Sequence, residues 1–420
     1  MGAETTRAMR CRTVDHLPLC ALLAIGAVLA SAVSVVESTI QDEDVYTWLR
    51  RKVPLVRDKH TVHLGRPGFT AEAGSELGGV CGIECQSQLS QPSVAKLEQL
   101  LSYETMYENG TRTLTAVSLQ SAGLAWEDTV LNGSTHFRHR RELYGPDSRF
   151  TIADLQYSTS YPFSTTVKVS SGCSGILLSP KHVLTAAHCI HDGRDYVKDA
   201  KKLRVGFLKL RSKREGVGKR APGRGGRRRG ERTGQRKRQR AKKRSRRSVQ
   251  PQQPVFQWTR VKQTQIPKGW FKDVSQEVAL DYDYALLELK RPQKQRFMDL
   301  GIVPSVKKFP AGRIHFSGFD NDRSGQLVYR FCSVSNESRD LLYQYCDAQP
   351  GSSGSGVYIR LKEPGKKKWK RKIIAVFSGH KWVDVNGVQQ DYNVAVRITP
   401  EKYAQICHWI HGNSSACSST

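Results

Sequence analysis

A short segment near residue 350 has the composition of a loop that can present a nucleophile. Residues 350–356 read Pro-Gly-Ser-Ser-Gly-Ser-Gly, with three glycines and three serines in seven positions. Glycine and serine favour tight turns, and such a turn places hydroxyl groups beside unshielded backbone N–H groups. A serine hydroxyl held next to such donors could attack a carbonyl carbon. The same composition suits a plain connection between two strands, so the segment alone leaves both interpretations open.

Two further segments contain the residue types that a serine nucleophile requires. A serine hydroxyl is a poor nucleophile until a base takes its proton, and histidine is the usual base. Residues 183–189 read Val-Leu-Thr-Ala-Ala-His-Cys and contain His188, while residues 283–289 read Asp-Tyr-Ala-Leu-Leu-Glu-Leu and begin with Asp283. A buried carboxylate can fix the tautomer of such a histidine. Asp281 lies two residues earlier on the same predicted face and is an alternative to Asp283.

These three segments resemble the histidine, aspartate and serine boxes of chymotrypsin-like serine proteases, in the same order along the chain. The resemblance selects Asp283 rather than Asp281. It implies that His188 acts as general base, that Asp283 orients it, and that Ser353 is the nucleophile. It also implies an oxyanion hole formed by the backbone N–H groups of Gly351 and Ser353. Some members of the family look inactive because another residue replaces the nucleophile, whereas this sequence keeps Ser353.

The sequence departs from the family pattern beside the predicted nucleophile. Ser352 stands where the family normally has an aspartate that pairs with the N-terminal amine released by activation, and Glu142 would be the new terminus instead of Ile or Val. Any activity must therefore be organised differently. For the specificity pocket the resemblance offers two candidates, Asp347 for basic substrate residues and His380 for acidic ones. A purely structural role for both stays open.

The elements around these segments predict an all-β fold. After residue 150, short runs rich in Val, Ile, Thr and aromatic residues alternate with Gly, Pro and Ser, and a helix is predicted over Glu401–Ile410. Together with the resemblance, which covers roughly residues 145–420, this pattern implies two six-stranded antiparallel β-barrels of chymotrypsin type with a C-terminal helix. The predicted domains are a signal peptide over 1–32, a propeptide-like region over 33–141 and the protease domain over 142–420.

The N-terminal part of the chain predicts secretion. Three arginines precede an apolar run over residues 17–33, the pattern of a cleaved signal peptide, and this run is short for a membrane anchor. The next region contains a predicted helix over Pro92–Glu104 and ends in Arg-x-Arg-Arg at Arg141, which is either a site for processing proteases or a solvated basic loop. We therefore predict a secreted, extracellular protein without a membrane anchor. Four Asn-x-Ser/Thr sequons fit the same route; they are Asn109, Asn132, Asn336 and Asn413.

Eight cysteines remain after removal of the signal peptide, an even number that suits disulfides in a secreted chain. Cys81 and Cys85 form either a small disulfide clip or half of a metal site. Because no histidines or second cysteine pair cluster near them, the clip is favoured, and neither a metal nor a cofactor is expected. The resemblance implies one further pair and short loop closures suggest two more: Cys173–Cys189, Cys332–Cys346 and Cys407–Cys417.

The net charge of the chain is +29, and much of it lies in one segment. Residues 211–247 hold 19 Lys/Arg and two Glu, a net charge of +17, with almost no apolar residues, so a disordered insert in the protease domain is predicted. The segment ends in a second Arg-x-Arg-Arg sequence at Arg247. A nucleic-acid partner is not expected, because the signal peptide directs the chain out of the cell. Heparin-like glycosaminoglycans or other acidic extracellular partners fit the segment better, with a protease-sensitive linker as the alternative.

Two functions are consistent with these observations. The first is a secreted serine endopeptidase that hydrolyses protein or peptide substrates through His188, Asp283 and Ser353. The second is an inactive pseudoprotease whose barrel and basic segment bind an extracellular or acidic partner. A purely structural role in the matrix has no sequence feature of its own.

Overall fold

The computed structural model describes residues 53–65, 92–120, 147–210, 255–271, 279–303, 305–306, 312–362, 369–385 and 388–412. Several predicted features lie outside these ranges: the signal peptide, the basic segment 211–247, Arg141, Arg247, Cys81, Cys85, Cys417, Asn132 and Asn413. Within the described ranges, no helix is both long enough and apolar enough to cross a membrane.

The described secondary structure consists mainly of strands, which confirms the all-β class predicted from the sequence. The three α-helices are α1 (Val94–Leu101), α2 (Leu155–Ser158) and α3 (Pro400–His411). The strands are β1 (Leu55–Leu64), β2 (Tyr103–Tyr107), β3 (Arg112–Gln120), β4 (Phe150–Ile152), β5 (Thr166–Val169), β6 (Ser174–Leu177), β7 (His182–Thr185), β8 (Arg204–Lys209), β9 (Val255–Pro267), β10 (Ala285–Leu289), β11 (Asp299–Leu300), β12 (Arg313–Gly318), β13 (Leu327–Glu337), β14 (Leu341–Gln344), β15 (Gly356–Lys362), β16 (Trp369–Val385) and β17 (Val388–Arg397).

Six strands close the first barrel in the order β9-β10-β7-β6-β5-β8, because β8 returns to pair with β9. The length of β9, 13 residues, allows this closure: residues 255–260 pair with β8, and residues 261–265 pair with β10. Apolar side chains from facing strands fill the interior, and Ile176, Leu184 and Leu286 are each at most 2% exposed. The short apolar runs of the sequence therefore form a closed, packed barrel.

The second barrel is a ring of six strands in the order β16-β15-β12-β13-β14-β17, closed by the long antiparallel pairing of β16 with β17. Inside it, the rings of Phe316 and Phe377 stack with centroids 4.9 Å apart. The helix α3 follows β17, and the Thr399 side chain caps its N-terminus while Gly412 ends it in the left-handed conformation. Two barrels of six strands with a C-terminal helix agree with the fold predicted from the sequence.

The described part of region 33–141 is folded onto the first barrel. β1, β3 and β2 extend its sheet, because β2 pairs with β9. Leu101 of α1 is fully buried, and the ring of Tyr103 meets Trp409 of α3 edge-on at 5.5 Å. The sequence predicted the helix over a longer range, Pro92–Glu104, and none of these three strands.

The two barrels meet at the serine-rich turn between β14 and β15. The backbone N–H of Ser174, in the first barrel, donates to the carbonyl of Ser353 at 2.8 Å. Gly354 adopts a φ of +82°, and a Cβ at this position would lie 2.2 Å from Oγ1 of Thr185. Only glycine therefore fits where the turn crosses β7. This close contact between Gly354 and Thr185 fixes the position of the neighbouring Ser353 relative to the first barrel.

Candidate active site

His188 and Asp283 come from the ends of two neighbouring strands. β7 ends at Thr185 and the chain continues into a short 3₁₀ turn, Ala187–Cys189, which carries His188. Asp283 precedes β10 by two residues. Because β10 pairs with β7, with Ala285 opposite Thr185, the two side chains leave adjacent segments of backbone.

The Asp283 carboxylate holds His188 at two points. One oxygen accepts the backbone N–H of His188 at 2.8 Å, and the other lies 2.7 Å from ring Nδ1. Because an ionised carboxylate only accepts hydrogen bonds, the ring donates through Nδ1, which leaves Nε2 to take up a proton. The hydroxyl of Ser378 donates to the same carboxylate at 2.6 Å. Asp281 belongs to a separate 3₁₀ turn, Ala279–Tyr282, so the structure brings Asp283 rather than Asp281 to the histidine.

Burial and charge act in opposite directions on this pair. Burial by itself raises the pKa of Asp283, but the charge and hydrogen bonds of His188, with the Ser378 hydroxyl, outweigh it and hold that pKa below its usual value of 3.8. Burial by itself lowers the pKa of His188, but the Asp283 charge and hydrogen bond outweigh it and raise that pKa above 6.5. Each group therefore stabilises the charged form of the other, as a base that becomes an imidazolium requires.

Ser353 lies half-buried in the turn beside this pair. Its carbonyl is held by Ser174, and a Cβ built on Gly379 would lie 4.0 Å from Ser353 Oγ. In the part of the chain that the structure describes, no hydrogen bond joins Ser353 Oγ to His188 Nε2, which contacts Cys189 Sγ at 3.8 Å. Catalytic hydrogen bonds in unliganded enzymes are often long and tighten when substrate binds.

The turn presents the two backbone N–H groups expected of an oxyanion hole. The Asn321 N–H donates to the Pro350 carbonyl at 2.8 Å, and since a trans peptide points its C=O and N–H in opposite directions, this bond turns the Gly351 N–H away from Asn321. Gly351 has a φ of +101°, and a Cβ there would lie 2.5 Å from the Phe319 carbonyl oxygen. The N–H groups of Gly351 and Ser353 donate to no atom of the described residues, which leaves both available to an oxyanion.

Ser352 is turned into its own loop rather than toward an ion pair. Its hydroxyl and its backbone N–H both donate to the Gln349 carbonyl, at 2.7 and 3.1 Å, and the residue is 1% exposed. The Ser174 hydroxyl steadies the same loop, because it donates to the Gly351 carbonyl at 2.7 Å and accepts the Phe319 N–H at 2.8 Å. At position 352 the turn is therefore held by neutral hydrogen bonds, whereas the family normally has a carboxylate there.

Both candidates for the specificity pocket already have partners. Asp347 is half-buried, and one of its oxygens accepts the backbone N–H and the hydroxyl of Ser148, at 2.8 and 2.7 Å. His380 is exposed on β16, where it contacts the Asp391 carboxylate and lies edge-on to Trp382 with ring centroids 5.7 Å apart. Asp347 is therefore engaged by the chain segment before β4 rather than left open to a substrate side chain.

Disulfides support the site on both sides. The Cys173–Cys189 disulfide joins the start of β6 to the turn that carries His188, so two sulfur atoms lie near the imidazole. Both cysteines are oxidised and therefore offer no thiolate to a metal ion. Cys407 is disulfide-bonded as well. The predicted pairs that the structure confirms are Cys173–Cys189 and Cys332–Cys346.

Two of the four predicted glycosylation sites fall within the described residues. Asn109 is exposed in the turn between β2 and β3, where its side-chain oxygen accepts the Thr111 N–H at 2.9 Å. Asn336 is half-buried within β13, and its side-chain oxygen accepts the Glu337 N–H. The exposed turn at Asn109 gives the better access for a bulky glycan.

Two residues that hold the site were not predicted from the sequence. Ser378 follows the apolar run that marks β16, and Ser174 follows Cys173 directly. The first supports the Asp283 carboxylate and the second supports the serine turn. The only sequence signal for them is their place next to segments already identified.

The fold and the site together define the class of this protein. A family model described as Trypsin matches residues 154–225, which include His188 and the start of the first barrel. Relatives of high identity extend the match over most of the chain. The chain belongs to the chymotrypsin-like serine protease family.

Within that family the chain is similar to two named proteins. Inactive serine protease 35 of Mus musculus is 60% identical over 384 residues, which cover 89% of this chain and 93% of the mouse protein. Serine protease 23 of Homo sapiens is 51% identical over 374 residues, which cover 88% of this chain and 91% of the human protein. A solved structure described as "Structure of Glu endopeptidase in complex with MPD" aligns with a TM-score of 0.40 and 17% identity, covering 63% of this chain and 97% of that chain.

Proposed function

We propose that this chain is a secreted serine endopeptidase that hydrolyses peptide bonds by acyl transfer through Ser353. The observation that carries the proposal is the double attachment of His188 to Asp283 beside an intact serine turn. His188 would take the hydroxyl proton of Ser353 as Oγ attacks the peptide carbonyl, and would then give that proton to the leaving amine. The Gly351 and Ser353 N–H groups would stabilise the negative oxygen, and water would release the acyl group.

The names of the relatives do not decide the activity of this chain. The mouse relative is named inactive, whereas the human relative is named simply as a serine protease. Activity depends on side chains at three positions, and this chain has His188, Asp283 and Ser353 at all of them. We therefore base the proposal on these residues and their contacts.

Labelling with a fluorophosphonate probe tests the proposal, because the probe reacts with an activated serine. We expect the purified secreted chain to be labelled and the Ser353→Ala variant to remain unlabelled. Ser355→Ala is the matched control, since the Ser355 hydroxyl lies in the same turn, is buried and has no partner among the described residues. A folded wild-type chain that does not react would contradict the proposal.

A second function, binding of a sulfated polysaccharide, is favoured by a basic groove on the first barrel. The groove has a volume of about 530 Å³ and lies between β8, β9 and the segment after β10. None of its described lining residues is acidic, although Glu108 nearby pairs with two of its cations. Its cationic lining residues are Lys209, Arg260, Lys290, Arg291 and Lys294.

The position of this groove connects it to the basic segment. Lys209 ends β8 and Val255 begins β9, so the stretch of chain that contains residues 211–247 leaves and rejoins the barrel beside the groove. We infer that the groove and the segment together bind heparin-like glycosaminoglycans, whose sulfates and carboxylates complement clustered cations. This binding does not require catalysis, so it suits an inactive homologue equally well.

Heparin-affinity elution separates the contributions of groove and segment. We expect deletion of residues 211–247 to lower the eluting salt concentration, and combined Gln substitutions of Lys209, Arg291 and Lys294 to lower it again. Lys59→Gln is the control, because Lys59 is exposed and lies on β1. Unchanged elution after the combined substitutions would exclude the groove as a binding element.

A further inference from the structure

The serine turn lacks the carboxylate that would anchor it, so another contact must orient its N–H groups. We infer that Arg149 is a positioning residue for the oxyanion hole, acting through its ion pair with Asp320. This inference rests on the proposed function, because it concerns the same hole. It assigns a role in the site to the chain segment that precedes β4.

Arg149 is held firmly against the second barrel. It directly precedes β4, which pairs with β13. Its side chain is only 7% exposed, and its guanidinium contacts the carboxylates of Asp147, Asp320 and Asp322 at 2.9, 2.9 and 2.7 Å. A planar guanidinium with several fixed acceptors gives a rigid contact rather than a mobile surface pair.

Asp320 depends on this contact because it is completely buried. Its exposure is 0%, and one oxygen accepts hydrogen bonds from both Arg149 and Arg330. The other oxygen has no partner among the described residues. Arg330 is itself buried, at 1% side-chain exposure. Removal of Arg149 would leave a buried carboxylate with one cation, which weakens the anchorage of the loop that carries it.

The loop around Asp320 is bonded directly to the serine turn. Asn321, the next residue, donates its N–H to the Pro350 carbonyl at 2.8 Å, and this bond orients the peptide that carries the Gly351 N–H. Phe319, the preceding residue, donates its N–H to the Ser174 hydroxyl, which bonds to the Gly351 carbonyl. A shift of Asp320 would loosen both contacts and let the Gly351 N–H rotate out of the hole.

This arrangement needs no free N-terminal amine. The cation is a side chain eight residues after Arg141, and Ser352 in the turn is satisfied by its own loop. An ion pair on the adjacent loop therefore takes the place of an ion pair on the serine turn itself. Arg149 and Asp320 position the oxyanion hole through the loop that is bonded to the serine turn.

The test compares variants of the full-length secreted chain by two measurements. The first is the rate of fluorophosphonate labelling, and the second is hydrogen exchange of peptides covering residues 319–323 and 349–355. We expect Arg149→Gln to label at least about tenfold more slowly, since loss of one oxyanion donor typically costs about 10²–10³ in rate. Exchange should rise in those two peptides and not elsewhere in the second barrel. Arg149→Lys should partly restore both readouts.

Lys59→Gln is the matched control, because it removes an ion pair with Glu98, at 2.8 Å, in the N-terminal region. It should behave as the wild type. If the wild type is labelled and Arg149→Gln is labelled equally fast, the inference is wrong while the proposed function stands. If the wild type is not labelled, the proposed function fails, and the exchange measurement alone then decides whether Arg149 orients the serine turn. Unchanged exchange in Arg149→Gln, or a rise spread evenly over the second barrel, overturns the inference.

Discussion

Ser148 donates both its backbone N–H and its hydroxyl to a single carboxylate oxygen of Asp347, at 2.8 and 2.7 Å, although the two residues are 199 positions apart. This contact docks the chain segment before β4 beside the serine turn. It also occupies the acid that the family resemblance offers for recognition of basic substrate residues. A carboxylate with two short donors gains less from a substrate cation than a free one.

We predict that Asp347 contributes to stability more than to substrate choice. Ser148→Ala removes one charge-assisted hydrogen bond at a partly exposed position, so the free energy of unfolding should fall by about 1 kcal/mol. Urea unfolding of the purified chain measures this change. Asp347→Asn should keep the wild-type preference among peptides that differ only in the residue before the cleaved bond.

The opposite result for Asp347→Asn is informative. A selective loss of cleavage after Arg or Lys would show that substrate displaces Ser148 and that Asp347 lines the pocket. His380→Ala is the companion variant, because His380 is the candidate for acidic residues and lies exposed beside Asp391. Loss of cleavage after Glu in that variant would assign the pocket to His380 instead.

We predict that the N-terminal region remains part of the folded protein after any cut at Arg141. β2 pairs with β9, the Lys268 N–H donates to the Ser102 carbonyl at 2.6 Å, and Gln405 of α3 donates to the Leu101 carbonyl. Loss of the region would expose the edge of β9 and the cavity that Leu101 fills. The two fragments of a chain cut at Arg141 should co-elute in native gel filtration and separate only in denaturant.

A single core substitution tests the same contact without cutting the chain. Leu101→Ala should lower the free energy of unfolding by about 2–5 kcal/mol, as expected for a fully buried leucine. Val94→Ala on the same helix is the control, since Val94 is 52% exposed. A chain beginning at Glu142 that folds with wild-type stability would show that the region is a removable propeptide.

The sequence predicted the pairing of His188 with Asp283 because both residues lie in segments that resemble the family's histidine and aspartate boxes. That resemblance selected Asp283 over Asp281, and the structure places Asp283 rather than Asp281 on His188. Strands of the barrels were predicted because they are short apolar runs between turn residues. β1, β2 and β3 were not predicted because their sequences lack the regular alternation of apolar inward and polar outward residues that marks a half-buried strand. The buried face of β3, for example, includes Thr113 and Thr115.

Contacts between distant segments that lie outside the family's motifs could not be predicted from the sequence. Arg149 and Asp320 are 171 residues apart, and neither belongs to a recognisable motif. A basic residue before a strand and an acidic residue after another occur in most proteins. Only the folded chain shows that they meet beside the serine turn, where β4 joins β13.

We predict that labelling of Ser353 rises with pH and has its midpoint above 6.5. The attacking hydroxyl needs a neutral His188 as base, and the Asp283 charge raises the pKa of that imidazole, so the rate should increase as pH passes through this raised value. Asp283→Asn removes the charge, so the midpoint should move to lower pH. The plateau rate should fall on the order of 10⁴-fold, because the tautomer is no longer fixed.

Labelling rates measured from pH 5 to about 9 give both quantities. Ser378→Ala is the companion variant, since it removes one hydrogen bond from the Asp283 carboxylate and leaves its charge. Its midpoint should stay at or above that of the wild type, because the Asp283 charge that raises the pKa of His188 is kept and has one donor fewer. A midpoint that stays in place or moves to higher pH in Asp283→Asn would contradict the assigned pairing of Asp283 with His188.

We predict that Asp281 makes the protein less stable as pH rises toward neutrality. Burial raises the pKa of Asp281 from 3.8 to about 7, the negative charge of Asp340 adds to the rise, and Lys402 and Arg339 oppose it. Between these two pKa values the folded chain keeps a proton on Asp281 that the unfolded chain has lost, so the stability that this proton contributes is complete below pH 3.8 and is lost as pH rises to about 7. Asp281→Asn carries no titrating group, so its stability should change less between pH 5 and about 8 than that of the wild type. Thermal unfolding of both chains at the two pH values measures the difference, and an equal change in both would show that Asp281 is ionised throughout.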